Sequence, residues 1–396
     1  MKRQRETEMF EEERDRPSGM GRAIYKILKS RWFRYAAIVA GILAVVLIAA
    51  YAIRNRKFDS YEITEIEEGN TGTFQYSALG GYILRYGPDG ARLTDEEGAV
   101  LWTISYSMRA PSLANCGSTA AIYDKNGTAI VVCDEKGQIG AFAAEMPILK
   151  AEVAEQGVTA AILEDGTDTW IQYYDQQGSA IASFKTAMDS TGYPLDIGLS
   201  RDGILMAVSF LKYEDGVPGT ELNFYNFGSA GQIQVDNQVS SFSYENILAP
   251  EVTYLDKDTC VAFREDGFTV FGGGQIPEEK GSANVEQKIV SAFCDSSYIG
   301  LILENDSGSA PFLLELYGKD GSLLFQQELD YDYQSVEIEA GQILLYNRTG
   351  FCVYSTDGVE KFRGELKNVI VDQLLGIGRN RFALITEEGL YRVQLK

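Results

Sequence analysis

The sequence contains no histidine. That absence removes Ser-His-Asp and Cys-His activation of a nucleophile, and it removes His-ligated zinc. Acid–base work would fall to carboxylates, tyrosine or lysine. Cysteine is sparse and odd in number: Cys116, Cys133, Cys260, Cys294 and Cys352, with no C-x-x-C among them. Each lies in or beside an apolar run, where a free thiol acts as a small hydrophobe. A disulfide framework is not expected, although one pair, such as Cys116 with Cys133, stays open. No helical period persists beyond residue 57. On these grounds no catalytic, cofactor-binding or metal-ligating residue is assigned.

What is present is distributed unevenly. Residues 1–57 hold 13 Lys/Arg and 6 Asp/Glu, leaving 22 basic and 51 acidic residues beyond them, a net of −29. A domain that acidic repels phosphate backbones, so nucleic acid is not an expected partner. The acid suits either binding of a cation or basic partner, or a solvated, soluble surface.

The stretch "YAAIVAGILAVVLIAAYAI", Tyr35 to Ile53, is 19 residues without a charge. At ~1.5 Å per residue it is about 28 Å long, close to the ~30 Å hydrocarbon core, and reads as a transmembrane helix. Arg22, Lys26, Lys29, Arg31 and Arg34 precede it, against Arg54, Arg56 and Lys57 after it. That bias puts the N-terminus in the cytoplasm and the remainder outside. Trp32, Phe33, Tyr35 and Tyr51 bracket the run as interfacial aromatics. "AYA" at 50–52 resembles a cleavage site, but the long preceding region and long apolar run favour an uncleaved anchor. Residues 1–20 are charged and read as a disordered cytoplasmic tail. Residues 21–34 read as a basic juxtamembrane segment, with Ile24, Ile27 and Leu28 on one side.

Beyond the anchor one phrase recurs: "LTDEEGAVLW", "VCDEKGQIGAF", "YYDQQGSAIASF", "LYGKDGSLLF" and "VYSTDGVEKF". Their shared glycines, Gly98, Gly137, Gly178, Gly321 and Gly358, are spaced by 39, 41, 143 and 37 residues. The long gap is close to three units, with degenerate copies at "FYNFGSAGQI" (Gly231) and "VFGGGQI" (Gly274). A period near 40 residues built from short apolar, β-branched runs separated by D-G, E-G or K-G turns is a four-stranded propeller blade. In the clearest copy, "YPLDIGLS" is expected as the inner strand, "DGILMAVSF" as the second, "ELNFYN" as the third and "GQIQV" as the outer one. Residues 58–396 divide into eight blades of about 42 residues, with seven of about 48 the alternative. The last phrase leaves three strands, so "YEITEI", 61–66, is expected to supply the missing fourth and close the ring.

With the anchor, "GYPLDIGLSRDG", "ILAPEV" and the D-x-x-G outer hairpins, the chain resembles a family of membrane-anchored propellers of Gram-positive bacteria whose function is unknown. The resemblance implies an extracytoplasmic propeller and supplies no activity and no site residues. In architecture only, the chain is also similar to quinoprotein-like propellers. Those carry a Trp in most blades, whereas residues 58–396 hold only Trp102 and Trp170, so no quinone or other cofactor is expected.

Binding residues concentrate on loops held by a rigid scaffold. Pro111, Pro147, Pro194 and Pro250 fall at or just before inner strands, where proline stiffens a turn. A rim ordered that way would present Met108, Arg109, Glu145, Tyr193, Tyr244, Glu245 and Glu251. Two loops read as long, "LKYEDGVPGTE" (211–221) and "LENDSGSAP" (303–311); with "LEDGTDTW" (163–170) they are acidic but lack calcium-loop spacing and read as solvated turns. The leading functional expectation is a non-enzymatic binding or scaffold module at the cell envelope, with an envelope protein or glycan as ligand. The alternatives are a carboxylate-based hydrolase or lyase on envelope glycans, and a ligand sensor coupled to a cytoplasmic partner.

Overall fold

The computed structural model describes residues 35, 38–39, 41–46, 51, 56–69, 73–188, 190–306, 308–367 and 369–396. The chain forms two compact units, Met1–Lys57 and Phe58–Lys396. In the first, Tyr35, Ile38, Val39, residues 41–46 and Tyr51 are helical. The expected tail, the juxtamembrane segment and the remainder of 35–53 lie outside the described residues. Among the described residues, no helix is long and apolar enough to cross a membrane.

The second unit is all-β, with eight four-stranded antiparallel sheets. The continuous burial expected of strands packed on both faces is visible in blade 4, which reads, from axis to rim, Tyr193–Leu199, Leu205–Glu214, Val217–Asn226 and Gln238–Tyr244. Both faces of every blade are apolar because each packs against a neighbour. The core is therefore divided into eight clusters, one between each pair of consecutive blades. The last of them joins blade 8 to blade 1 through Leu375, Ile377, Ile385, Tyr76 and Ile83. This closes an eight-bladed propeller.

Closure uses the strand expected from the sequence. Tyr61–Glu68 pairs antiparallel with Gly389–Leu395, from Tyr61 opposite Leu395 to Glu68 opposite Gly389. Gly389–Leu395 is thereby an interior strand of blade 8. Tyr61 and Ile63 pack on the cluster between blades 7 and 8, and Ile66 on the one between blades 8 and 1. Tyr61 meets Phe362 edge-on, with ring centroids 5.9 Å apart. The ladder shifts register by one residue at Ile66.

The repeated phrase is the third-to-outer hairpin. Gly98, Gly178, Gly321 and Gly358 have φ of +88°, +82°, +82° and +81°, a backbone that only glycine adopts without strain. In three of these turns an Asp side chain accepts backbone N–H bonds: Asp95 from Ala99 at 2.8 Å, Asp175 from Ser179 at 2.8 Å, and Asp320 from Ser322 at 3.0 Å. Three residues beyond each of these glycines the outer strand carries a bulge, and the outer strands of all eight blades have one. A bulge twists the strand and spoils the exposed edge for pairing.

The degenerate copies depart from expectation. "GQIQV" is not the outer strand of blade 4; that strand is Gln238–Tyr244. Residues 231–235 instead belong to an expanded connection that ends in a short 3-10 turn, Val235–Asn237. In the other copy, Gly273 and Gly274 do form the turn, and the outer strand begins later, at Glu278. The segment 211–221 is not a loop: strands run to Glu214 and from Val217, joined by Asp215 and Gly216 with φ of +52° and +82°, a tight hairpin. All five cysteines are free thiols.

Candidate functional site

Inner strands leave one backbone edge facing the central channel, so what lines the channel is set by eight short segments. Those segments carry one ammonium, Lys150, and five carboxylates, Glu152, Asp196, Glu251, Glu337 and Glu339. Two of the acids have structural tasks. Asp196, 4% exposed at its side chain, contacts the Lys150 Nζ of blade 3 with Oδ1. Its Oδ2 accepts the Val252 N–H of blade 5 at 2.8 Å. One carboxylate thus joins three consecutive inner strands. Glu337 Oε1 accepts the Gly376 N–H of blade 8 at 3.0 Å in the same manner.

Lys150 also lies 3.5 Å from Glu152. Burial works against the Lys150 charge, but the Glu152 and Asp196 carboxylates overcome it and raise its pKa. Burial pushes Glu152 up to about 7, against the opposing pull of Lys150. Burial likewise pushes Glu337 up to about 7, and raises Glu251 and Glu339. Several channel carboxyls therefore lack a full complement of positive partners.

The channel opens at the end where inner strands turn into second strands. There a cavity of ≈ 830 Å³ is bounded by those turns, including Gly80, Gly117, Ser297 and Gly341. Gly80 turns with φ of +59°, in the left-handed region that glycine adopts without strain, beside the Glu135 carboxylate of the next blade. Glu155 and Arg201, 2.5 Å apart, form an ion pair on its lip. Cys116 and Cys294 line the wall as protonated thiols: burial pushes them up to about 11 and about 12.

The rim residues expected from the prolines lie at the opposite end, spread over five blades. The Met108 side chain is buried. The Arg109 N–H, with that of Ala110, is held by Asp124 Oδ1 at 2.9 and 2.7 Å, so Asp124 shapes that turn. Glu145 is exposed, with Gln172 Nε2 3.5 Å from Oε2. Tyr193 and Glu251 begin inner strands, and Glu251 interacts electrostatically with the Asp196–Lys150 group. The structure brings together only Tyr244 and Glu245, which line a ≈ 360 Å³ pocket beside the long hairpin of blade 4. There the Arg264 guanidinium stands 5.4 Å from the Tyr244 ring centre. Among the described residues, no group of three or more Asp, Glu or Cys is disposed to hold a metal ion.

Sequence reasoning missed the wide mouth, Lys150 and Asp196. Lys150 and Asp196 are 46 positions apart, and only the blade period, which puts both on inner strands, could have linked them.

No curated protein matches the chain. Solved structures share its fold at low identity. BamB from Moraxella catarrhalis is 13% identical, covering 85% of this chain and 100% of its own, with a TM-score of 0.50. The computationally designed Ika8 protein is 10% identical over 84% and 99%, at 0.54. Sqt1 from Chaetomium thermophilum, solved with the N-terminus of the ribosomal protein L10 bound, is 10% identical over 86% and 100%, at 0.53. The match that assigns a family is to its sequence model: over residues 54–395 the chain belongs to DUF5711, a family of unknown function.

Proposed function

We propose that the chain is a membrane-anchored, extracytoplasmic, non-enzymatic binding module whose ligand is a segment of another protein, received at the glycine-ringed channel mouth. The observation that carries this reading is the charge imbalance of a rigid channel, one ammonium against five carboxylates, opening into a ≈ 830 Å³ mouth. A rigid scaffold lowers the entropy cost of binding, and the uncompensated acid favours a segment with basic side chains. Sqt1, a propeller of the same fold, holds the N-terminus of a ribosomal protein, which supports a protein ligand. The uncharged 35–53 segment and its basic flanks support the anchor and the outward orientation.

The test is a photo-crosslinking amino acid at Ser118 or Ser297, both on the mouth, in living cells. A discrete protein adduct at these positions and not at exposed Leu323, diminished by Glu339→Lys, is expected. No adduct at either mouth position would overturn the reading. Protease added to spheroplasts checks the topology: residues 58–396 should be digested and the N-terminal tail protected.

A carboxylate-based hydrolase or lyase on envelope glycans has one observation in its favour. Glu152, near neutrality, lies close to Asp196, and paired carboxyls of different affinity suit acid–base chemistry. Against it, both Asp196 oxygens are engaged, by Lys150 and by the Val252 N–H. Turnover of cell-wall glycan that disappears in Glu152→Gln would favour this second reading.

A further inference from the structure

In six blades the third and outer strands are joined by two to five residues; in blade 4 the join takes eleven, 227–237. The base of this loop is held firmly. Asn226, nearly fully buried, receives the Gly228 N–H on Oδ1 at 2.7 Å and donates Nδ2 to the Gln275 carbonyl of blade 5 at 2.8 Å. Phe227 stacks on Tyr173 of blade 3, with ring centroids 3.9 Å apart and planes at 8°. Ser240 Oγ donates to the Pro277 carbonyl at 2.9 Å.

On that base the loop carries Ile233 and Val235, each 83% exposed. They are followed by two consecutive non-glycine residues in the left-handed region, Asp236 at φ +53° and Asn237 at φ +60°. Such strain persists where the surroundings impose it, and it recurs at recognition sites. Two further exposed isoleucines come from the adjoining turns. Ile204 accepts the Phe227 N–H on its carbonyl at 2.8 Å, and Ile276 lies between the two residues that tie down the loop. Every exposed large hydrophobic on a turn at the mouth end of the ring, among the described residues, belongs to this group. Its border is acidic: Asp236, Glu278 and Glu279 are exposed, and the one adjacent ammonium, Lys280, is 3.2 Å from Glu278.

We infer that this loop, with Ile204 and Ile276, is a second docking surface, for an amphipathic segment of a partner protein whose apolar face is flanked by Lys or Arg. The inference rests on the protein-binding reading above and adds the chemistry of the partner. Charge selects the occupant. A second copy of the ring would bring acid against acid, and a bilayer would meet a border without the basic residues that hold a protein to anionic lipid. A basic amphipathic segment satisfies both the apolar centre and the acidic border.

The test uses the purified full chain in detergent and a fluorescein-labelled synthetic peptide, LKKLLKLLKKLLKL, read by polarisation. Saturable binding is expected, weakened at least tenfold by Ile233→Asp with Val235→Asp, and at least threefold by Asp236→Lys with Glu279→Lys or by raising salt. Leu323→Ser with Leu324→Ser, an exposed apolar pair on blade 6, should leave it unchanged. Equal binding by the Ile233/Val235 variant would overturn the inference. So would binding to neutral phosphatidylcholine vesicles with the same dependence on Ile233 and Val235, or a dimer in sedimentation that these substitutions dissociate. Because the mouth crosslink does not involve these residues, absence of saturable peptide binding by the unsubstituted chain, with the crosslink retained, refutes the docking surface alone.

Discussion

Blade 8 and blade 4, half a turn apart in the order of blades, use the same four-stranded unit in opposite ways. At the blade 8 seam, additional residues go inward. Tyr61 joins Phe351, Phe362 and Phe382 in one aromatic cluster. Arg85 and Arg392 pair across the join with Glu67 and Glu97 at 2.9 and 3.0 Å. In blade 4 the additional residues go outward, into a lengthened hairpin at one end and the Ile233–Val235 loop at the other. The interior of blade 4 is no weaker for this: Phe224 is fully buried against Phe271 at 5.0 Å. A repeat protein can therefore change its surface in one blade without disturbing the interfaces that carry its stability.

Removing the seam strand is the severest way to break this comparison. A chain starting at Gly69 should lose the burial of Tyr61, Ile63 and Ile66, about 5 kcal/mol. Relative to one starting at Phe58, it should melt about 10 °C lower and aggregate. Equal melting curves would mean the ring is held elsewhere. Next, Phe351→Ala at the seam and Phe224→Ala in blade 4 should each cost ~4 kcal/mol by urea denaturation. A much smaller value in blade 4 would show that its interior had been relaxed along with its surface.

Asp196→Ala should cost about 3 kcal/mol, because it leaves the Lys150 ammonium and the Val252 N–H without their shared acceptor. Replacement of the acid by Asn should recover part of the loss through the Val252 bond. A smaller effect concerns pH. The folded-state pKa of Glu337, about 7, lies above its unfolded value, so the folded state holds the proton more tightly. Stability from this group is then greatest below about pH 4.5 and declines as pH rises through 7. Glu337→Gln should flatten the decline between pH 5 and pH 8 by about 2 kcal/mol, measured by urea midpoints at each pH. The smallest effects belong to the surfaces. Arg392→Ala, and Ile233→Ser with Val235→Ser, should each move stability by less than about 0.5 kcal/mol. A large loss in the latter pair would make the blade 4 loop part of the fold and not a surface.

Much of the ring was legible because propeller geometry is written locally. A turn glycine at φ near +80° cannot be replaced cheaply, so Gly98, Gly178, Gly321 and Gly358 mark the hairpins in the sequence itself. The closing strand was legible by subtraction, since three strands at one end of the chain require a fourth from the other. Gly231 misled because glycine marks a turn without giving the length of the connection. Residues 231–235 have the apolar alternation of a strand, yet the pairing is taken by Gln238–Tyr244. The channel was illegible for another reason. Whether Asp196 faces water, a lysine or a backbone N–H depends on neighbours contributed by blades 3 and 5, and no local pattern encodes that convergence. The wide mouth arises from turns whose residues resemble those of any hairpin.

The closing pair also fixes an order of events. Tyr61–Glu68 emerges from the ribosome before any complete blade, while its partner, Gly389–Leu395, is the last strand of the ring in chain order. The first strand must therefore wait unpaired while seven blades form beside it. Blade 8 cannot be completed until synthesis of all the others is finished. The entropy of bringing two segments together across more than 300 residues grows only with the logarithm of their separation. Stacked blades shorten that search further, since they carry the late strand to within reach of the early one. Premature termination anywhere before residue 389 would leave the waiting strand without a partner, giving quality-control proteases a clear mark by which to remove unfinished chains.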